Sequence, residues 1–130
     1  MATGRTRNAT DGPPAGRDSR PLDVETMRAT ASRLIGEAAS LLSADELEAL
    51  TLQLRGHMMV AIPDIERAAF ALPEDDVPRA CALACVGEAR MRLDLAPDHG
   101  LAAELKHAQR LARSVNALCD HHHNLGVAPS

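Results

Sequence analysis

Five polar residues stand inside otherwise apolar helical sequence, and they are the first places to look for chemistry. Arg55 and His57 lie in Leu54-Arg55-Gly56-His57, Glu88 and Arg92 lie in Gly87-Glu88-Ala89-Arg90-Met91-Arg92, and Asn116 follows Ser114 further on. Glu88 and Arg92 are four residues apart in the favourable order, so a surface ion pair is one reading. The other turns Glu88 and an arginine inward, as a buried network that fixes register or meets an anionic ligand. In that reading Arg55, His57, Glu88, Arg92 and Asn116 line a polar pocket between the second and third helices, beside Pro63.

The histidine-rich end is the second candidate. Cys119 and His123 are four residues apart and His122 is adjacent, so a weak metal site through Cys119, His122 and His123 is conceivable, with His57 as a further donor. The spacing fits no established zinc signature, and a solvated run at His121 to His123, favoured by the helix dipole, is the simpler expectation. Cys81 and Cys85 are also four apart. A disulfide at that spacing strains an intact helix, so both are expected as small buried thiols. No spacing matches a Ser-His-Asp or Cys-His nucleophile, a phosphate loop or a dinucleotide fingerprint. With one Phe and no Trp or Tyr, a stacking pocket for a flat cofactor is not expected either. No cofactor is therefore anticipated, and no reaction can be assigned.

The elements that must position these residues are helical throughout. Strong helix formers dominate, and runs of β-branched and aromatic residues are missing. A first helix is expected from Asp23, with Val24, Met27, Ala31, Leu34, Ile35 and Ala38 as its apolar stripe. Ser43-Ala44-Asp45-Glu46 is a capping box that opens a second helix, with Leu47, Leu50, Leu54, Met58 and Ala61 on one face. Leu52 and Met59 widen that face and predict contacts on two sides. Pro63 interrupts this helix, which is either kinked at Ile62 or broken and restarted. A kink would leave the Met59 carbonyl to be met by a polar group or water.

A third helix is expected from about Val77 to Leu95, with Pro78 in its first turn. Its opening turns, Ala80 to Gly87, are apolar all round, which predicts the central, fully buried element. A fourth runs from about Leu101 to His123, with Leu101, Leu105, Ala108, Ala112, Val115, Cys119 and His122 at heptad-like steps and Leu111, Leu118 and Leu125 beside them. Gly126 is a fitting residue just past its end. Short connections between long helices predict an all-α, antiparallel four-helix bundle over residues 22–126. Residues 1–21, rich in Gly, Pro and Arg without apolar periodicity, read as a disordered tail, and 127–130 as a disordered end.

Composition narrows the function classes. A formal charge of -4 and the lack of aromatics argue against nucleic acid as a partner. No stretch approaches the length of a membrane span, so no membrane partner is expected. The first stretch is polar and has no apolar signal core, and a reducing cytoplasm is the economical location. Broad apolar helix faces on a small domain point to a homodimer or another protein as partner, with a small molecule as the alternative.

Several stretches carry a family resemblance. Leu52-Gln53-Leu54-Arg55-Gly56-His57 with Ile62-Pro63, Asp76-Val77-Pro78-Arg79-Ala80-Cys81, Gly87-Glu88-Ala89-Arg90, and Ala112 to His121 resemble a small actinobacterial family of unknown function. Its members are loosely labelled natural-product biosynthesis proteins. The resemblance covers roughly Leu22 to Leu125 and implies an actinobacterial cytoplasmic protein, without supplying an activity. The expected function is a helical interaction or regulatory module associated with specialised metabolism. The alternative is a small-molecule-binding accessory enzyme of natural-product biosynthesis, using the pocket described above.

Overall fold

In the computed structural model, which describes residues 22–126, the chain forms four α-helices and one short 3-10 turn. These are α1 (Val24–Ser32), the 3-10 turn (Glu37–Leu41), α2 (Ala44–Phe70), α3 (Val77–Asp94) and α4 (Leu101–Asn124). Among the described residues there is no strand. The expected tail over 1–21 and the end over 127–130 lie outside the described residues.

Three of the four helix starts carry a side-chain cap, and α4 begins instead at Gly100. The Asp23 carboxylate accepts from the Thr26 amide at 3.1 Å and from the Thr26 hydroxyl at 2.8 Å. Ser43 and Glu46 form the complete reciprocal capping box, at 3.1 and 2.9 Å. Asp76 caps α3 by accepting from the Arg79 amide at 2.9 Å, with Pro78 in the first turn. Such side chains satisfy amide groups that the first helical turn leaves without partners. Gly126 follows the end of α4 at φ +73°, in the left-handed region that glycine favours.

The helices run up, down, up and down, so α2 and α4 point the same way. Three successive meetings climb them together. Leu47 shares a surface depression with Leu101 and Leu105, Arg55 acts on His107, and Asp64 acts on His122. α2 and α4 each pack against all the other helices and form the short diagonal of the bundle, with α1 and α3 flanking them. Ala61 and Ala69 on α2 and Ala108 and Ala112 on α4 are fully buried, small side chains within the packed core. Leu54, Met58, Ile65, Leu111, Val115 and Leu118 fill the core around them.

Three expectations need correction, and one open alternative is narrowed. α1 stops at Ser32, because Gly36 at φ +143° turns the chain before the 3-10 turn, so Ala39 is buried while Ile35 and Ala38 are exposed. Leu52 and Met59 face solvent instead of a second neighbour. α2 continues unbroken through Pro63. Both Pro63 and Met59 lie on its solvent side, where water can serve the carbonyl that proline leaves without a donor. Finally, α3 is peripheral: only Ala82, Val86 and Ala89 are buried. Ala, Cys and Gly lose little by exposure, so an all-round apolar run built from them does not demand burial on every side.

Candidate functional site

The polar residues singled out by sequence separate onto different flanks of the bundle. The Thr30 hydroxyl donates to the Thr26 carbonyl at 3.1 Å, which leaves its oxygen to accept from the Nε2–H of His57 at 3.2 Å. His57 therefore joins α2 to α1 and faces away from α3. Arg92 turns towards α4, donating to the Ser114 hydroxyl at 2.8 Å and more weakly to the Arg110 carbonyl at 3.4 Å. Its other nitrogen lies 3.5 Å from Glu88, whose side chain is 59% exposed. Asn116 is half-buried and makes no side-chain hydrogen bond to a described residue. Of the proposed network, Glu88, Arg92 and Ser114 are brought together, as a clasp between α3 and α4.

Two further clasps hold the exterior. Arg90 grips Glu66 with two hydrogen bonds of 2.8 and 2.9 Å, tying α3 to α2 and holding the Glu66 carboxyl below its ordinary pKa. Arg28 meets Asp120 at 2.6 Å, tying α1 to α4. At the turn between α2 and α3 the Arg79 guanidinium donates to the Leu72 carbonyl at 3.0 Å and lies 5.3 Å from the centroid of the Phe70 ring.

The C-terminal cluster does not converge. Cys119 is buried in the core, where burial pushes its thiol pKa up, and His123 is exposed. His122 is buried rather than solvated. Burial lowers its pKa, against the opposing pull of Asp64. Among the described residues no group of three or more His, Cys, Asp or Glu side chains is placed to hold a metal ion. Cys81, expected inside, is exposed, and Cys85 is half-buried with its thiol pKa pushed up by burial; all three thiols are free.

Arg55 has a different neighbour from those expected. It lines an open groove of about 690 Å³, bounded by the first turns of α2, the Leu93–Pro97 segment and the start of α4. On the far wall stands His107, 8% exposed, with no hydrogen bond to any described residue. Burial lowers its pKa, and the Arg55 and Arg110 cations lower it further, so the ring is neutral at neutral pH. His107 was missed by sequence reasoning, yet a signal existed. It sits four residues before Leu111 and eleven before Leu118, on a row that the apolar spacing had already assigned to the core. A histidine there must be buried, and its lack of a partner is what the structure adds.

Leu47, Leu52 and Leu93 give the groove its apolar lining, among charged side chains. Asp45 and Glu48 on α2 and Glu104 on α4 stand at the end where both helices begin, with Asp94 on the lip from α3. Arg55 and His107 stand further along the same two helices. Arg55 has no carboxylate of a described residue within ion-pair distance. Such a site can bind and orient a polar ligand, but it assembles no nucleophile activated by a base.

Neither the curated proteins nor the solved structures contain a match to this chain. The model of a family of unknown function (DUF6415) matches residues 25–127, which takes in all four helices, and the chain belongs to that family.

Proposed function

We propose that the domain is a helical interaction module that pairs with a second copy of itself through the solvent face of α2 and α3. The observation that carries this reading is a double row of exposed apolar side chains at seven-residue spacing. On α2 these are Leu52 and Met59, 64% and 65% exposed, with Phe70 further along the same face. On α3 they are Val77, Ala84 and Met91. Residues seven apart fall within about 20° of one another around a helix, so each row is continuous. Gly56 and Pro63 beside the α2 row, and Gly87 beside the α3 row, add no bulk that would hold another helix away.

The size of the face favours a second copy. Five large side chains, at roughly 100 Å² each, give about 500 Å² of apolar surface before the small residues between them are added. That is most of the ~800 Å² per partner found in stable interfaces. Pairing about a two-fold axis lets the same face serve on both subunits, and helices with apolar residues every seven positions pack into one another. A regulatory role, and a place in specialised metabolism, rest on the family resemblance alone.

Light scattering coupled to size exclusion tests the reading directly. The native chain is expected to run as a dimer at tens of micromolar, and a Met59→Glu, Met91→Glu double variant as a folded monomer. A native chain that stays monomeric at millimolar concentration refutes it.

A further inference from the structure

We propose that the groove between α2, the Leu93–Pro97 segment and α4 is a binding site for a small zwitterion, a free amino acid derivative or short peptide with an apolar middle. Its anionic end would meet Arg55 and His107, and its ammonium end would meet Glu48 and Glu104. The inference does not depend on dimer formation, although Leu52 belongs both to the groove and to the proposed pairing face.

Three observations carry it. First, His107 is more than nine-tenths buried, lines the groove and has no hydrogen-bond partner among the described residues. A buried polar group left in that state is costly, and a ligand oxygen accepting from its ring N–H removes the cost. Second, Arg55 is half-buried on the opposite wall and makes no ion pair with a described residue, unlike Arg28, Arg67, Arg90 and Arg92. A guanidinium beside a neutral imidazole offers several donors to one carboxylate or phosphate oxygen pair.

Third, the charges are sorted along the groove rather than mixed. Glu48 precedes Arg55 by seven residues on α2, a rise of about 10 Å, and Glu104 precedes His107 by one turn on α4. Since the two helices run in parallel, both place the carboxylate at the same end and the donor at the other. Leu52 falls between the two on α2, and Leu47 and Leu93 add apolar lining to the groove. A simple anion would satisfy one end and be repelled by Asp45, Glu48, Asp94 and Glu104. A simple cation would leave Arg55 and His107 unmet. A molecule carrying both charges on an apolar spacer answers every group, and the groove has ample room for it.

The test follows the His107 ring resonances by NMR while 6-aminohexanoate, hexanoate and hexylamine are added to the full chain. The zwitterion is expected to shift those resonances saturably, and to bind about tenfold more tightly than either singly charged analogue, as one charge-assisted contact implies. Arg55→Gln should lower its affinity to that of hexylamine, and a Glu48→Gln, Glu104→Gln variant to that of hexanoate. Arg67→Gln, at the far end of α2, should leave binding unchanged. No saturable shift of His107 by 6-aminohexanoate overturns the proposal. So does hexanoate or hexylamine binding as tightly as the zwitterion.

Discussion

Replacing Pro63 with alanine should make this protein more stable, which is the reverse of the usual outcome of a substitution. Pro63 lies inside a continuous 27-residue helix, where its ring crowds the carbonyl of Met59 and offers it no N–H. In a helix interior proline is about 3 kcal/mol less favourable than alanine. Two effects reduce the gain. The unfolded chain of Pro63→Ala is freer, worth about 0.4–1 kcal/mol. The Met59 carbonyl also lies on the exposed side of α2, so the restored hydrogen bond replaces one to water and adds only its net value, about 0.5–1.5 kcal/mol. The balance is a stabilisation of about 1–2 kcal/mol. At the few degrees per kcal/mol typical of a domain this size, the melting temperature should rise by roughly 5–10 °C. Urea denaturation followed by circular dichroism at 222 nm gives the free energy. The midpoint should rise while the slope stays unchanged, since the surface exposed on unfolding is the same. Pro63→Gly should recover little of the gain, because glycine gives back about 1 kcal/mol of helix propensity. A midpoint for Pro63→Ala equal to or below that of the native chain would refute the placement of this proline on an open solvent face.

Two glycines should respond with opposite signs. Gly36→Ala should destabilise by about 1 kcal/mol or more, because φ +143° is strained for any residue with a Cβ, although the space around it is open. Gly56→Ala, mid-helix on α2 and equally unobstructed, should stabilise by about 0.5–1 kcal/mol; equal shifts in the two melting temperatures would contradict this account. Stability should also fall as pH drops below neutrality. His107 and His122 are held below the unfolded histidine value of 6.5, chiefly by burial; Arg55 and Arg110 lower the first further, while for the second Asp64 opposes the shift and His123 adds to it. The unfolded chain therefore takes up protons first. The contribution of these rings is fully present above pH 6.5 and is lost as pH falls through their lower folded values. The lowered carboxyls Asp23, Glu46 and Glu66 act only below their ordinary values of 3.8 to 4.5, outside this window. Urea midpoints at pH 7.5 and pH 5 should differ in the native chain and converge in a His107→Gln, His122→Gln variant; a midpoint that rises towards pH 5 would show that the rings are not buried neutral.

The helices were legible because their punctuation is chemical and local. Ser43 with Glu46, Asp76 before Pro78, and Gly126 past α4 each act within a few residues, and each is found where sequence places it. The buried face of α2 was equally plain, since Leu47, Leu50, Leu54, Met58 and Ala61 leave one consistent direction for the core. What sequence misjudged was rank among the helices. α3 reads as apolar all round only because Ala, Cys and Gly count as apolar, yet each has little surface to hide. α4 looks more polar, carrying Lys106, Arg110, Arg113 and four histidines, but Leu111, Val115 and Leu118 on its inner side are all fully buried. Burial follows the bulk of the side chains on the inner face, so the sharply two-sided helix lies nearer the centre than the uniformly small one.

The candidate site shows where reading by spacing stops. Arg55 and His57 were grouped because they are neighbours in sequence, but residues two apart on a helix point about 200° away from each other. One ligand could never have met both, and the structure sends His57 to Thr30 on α1 and Arg55 to the groove. Glu88 and Arg92, four apart, do share a face and do approach each other, as that rule requires. The partner that Arg55 finds is His107, 52 positions along the chain and on a helix that sequence could not orient relative to α2. Two facts had to be known together: that α2 and α4 run in parallel along the short diagonal, and that their first turns are level. The short connections already imply the parallel run, but which pair forms the short diagonal, and at what level, depends on how the side chains of both helices pack against each other. Once they are fixed, the carboxylates at the start of each helix and the donors further along them fall into one groove.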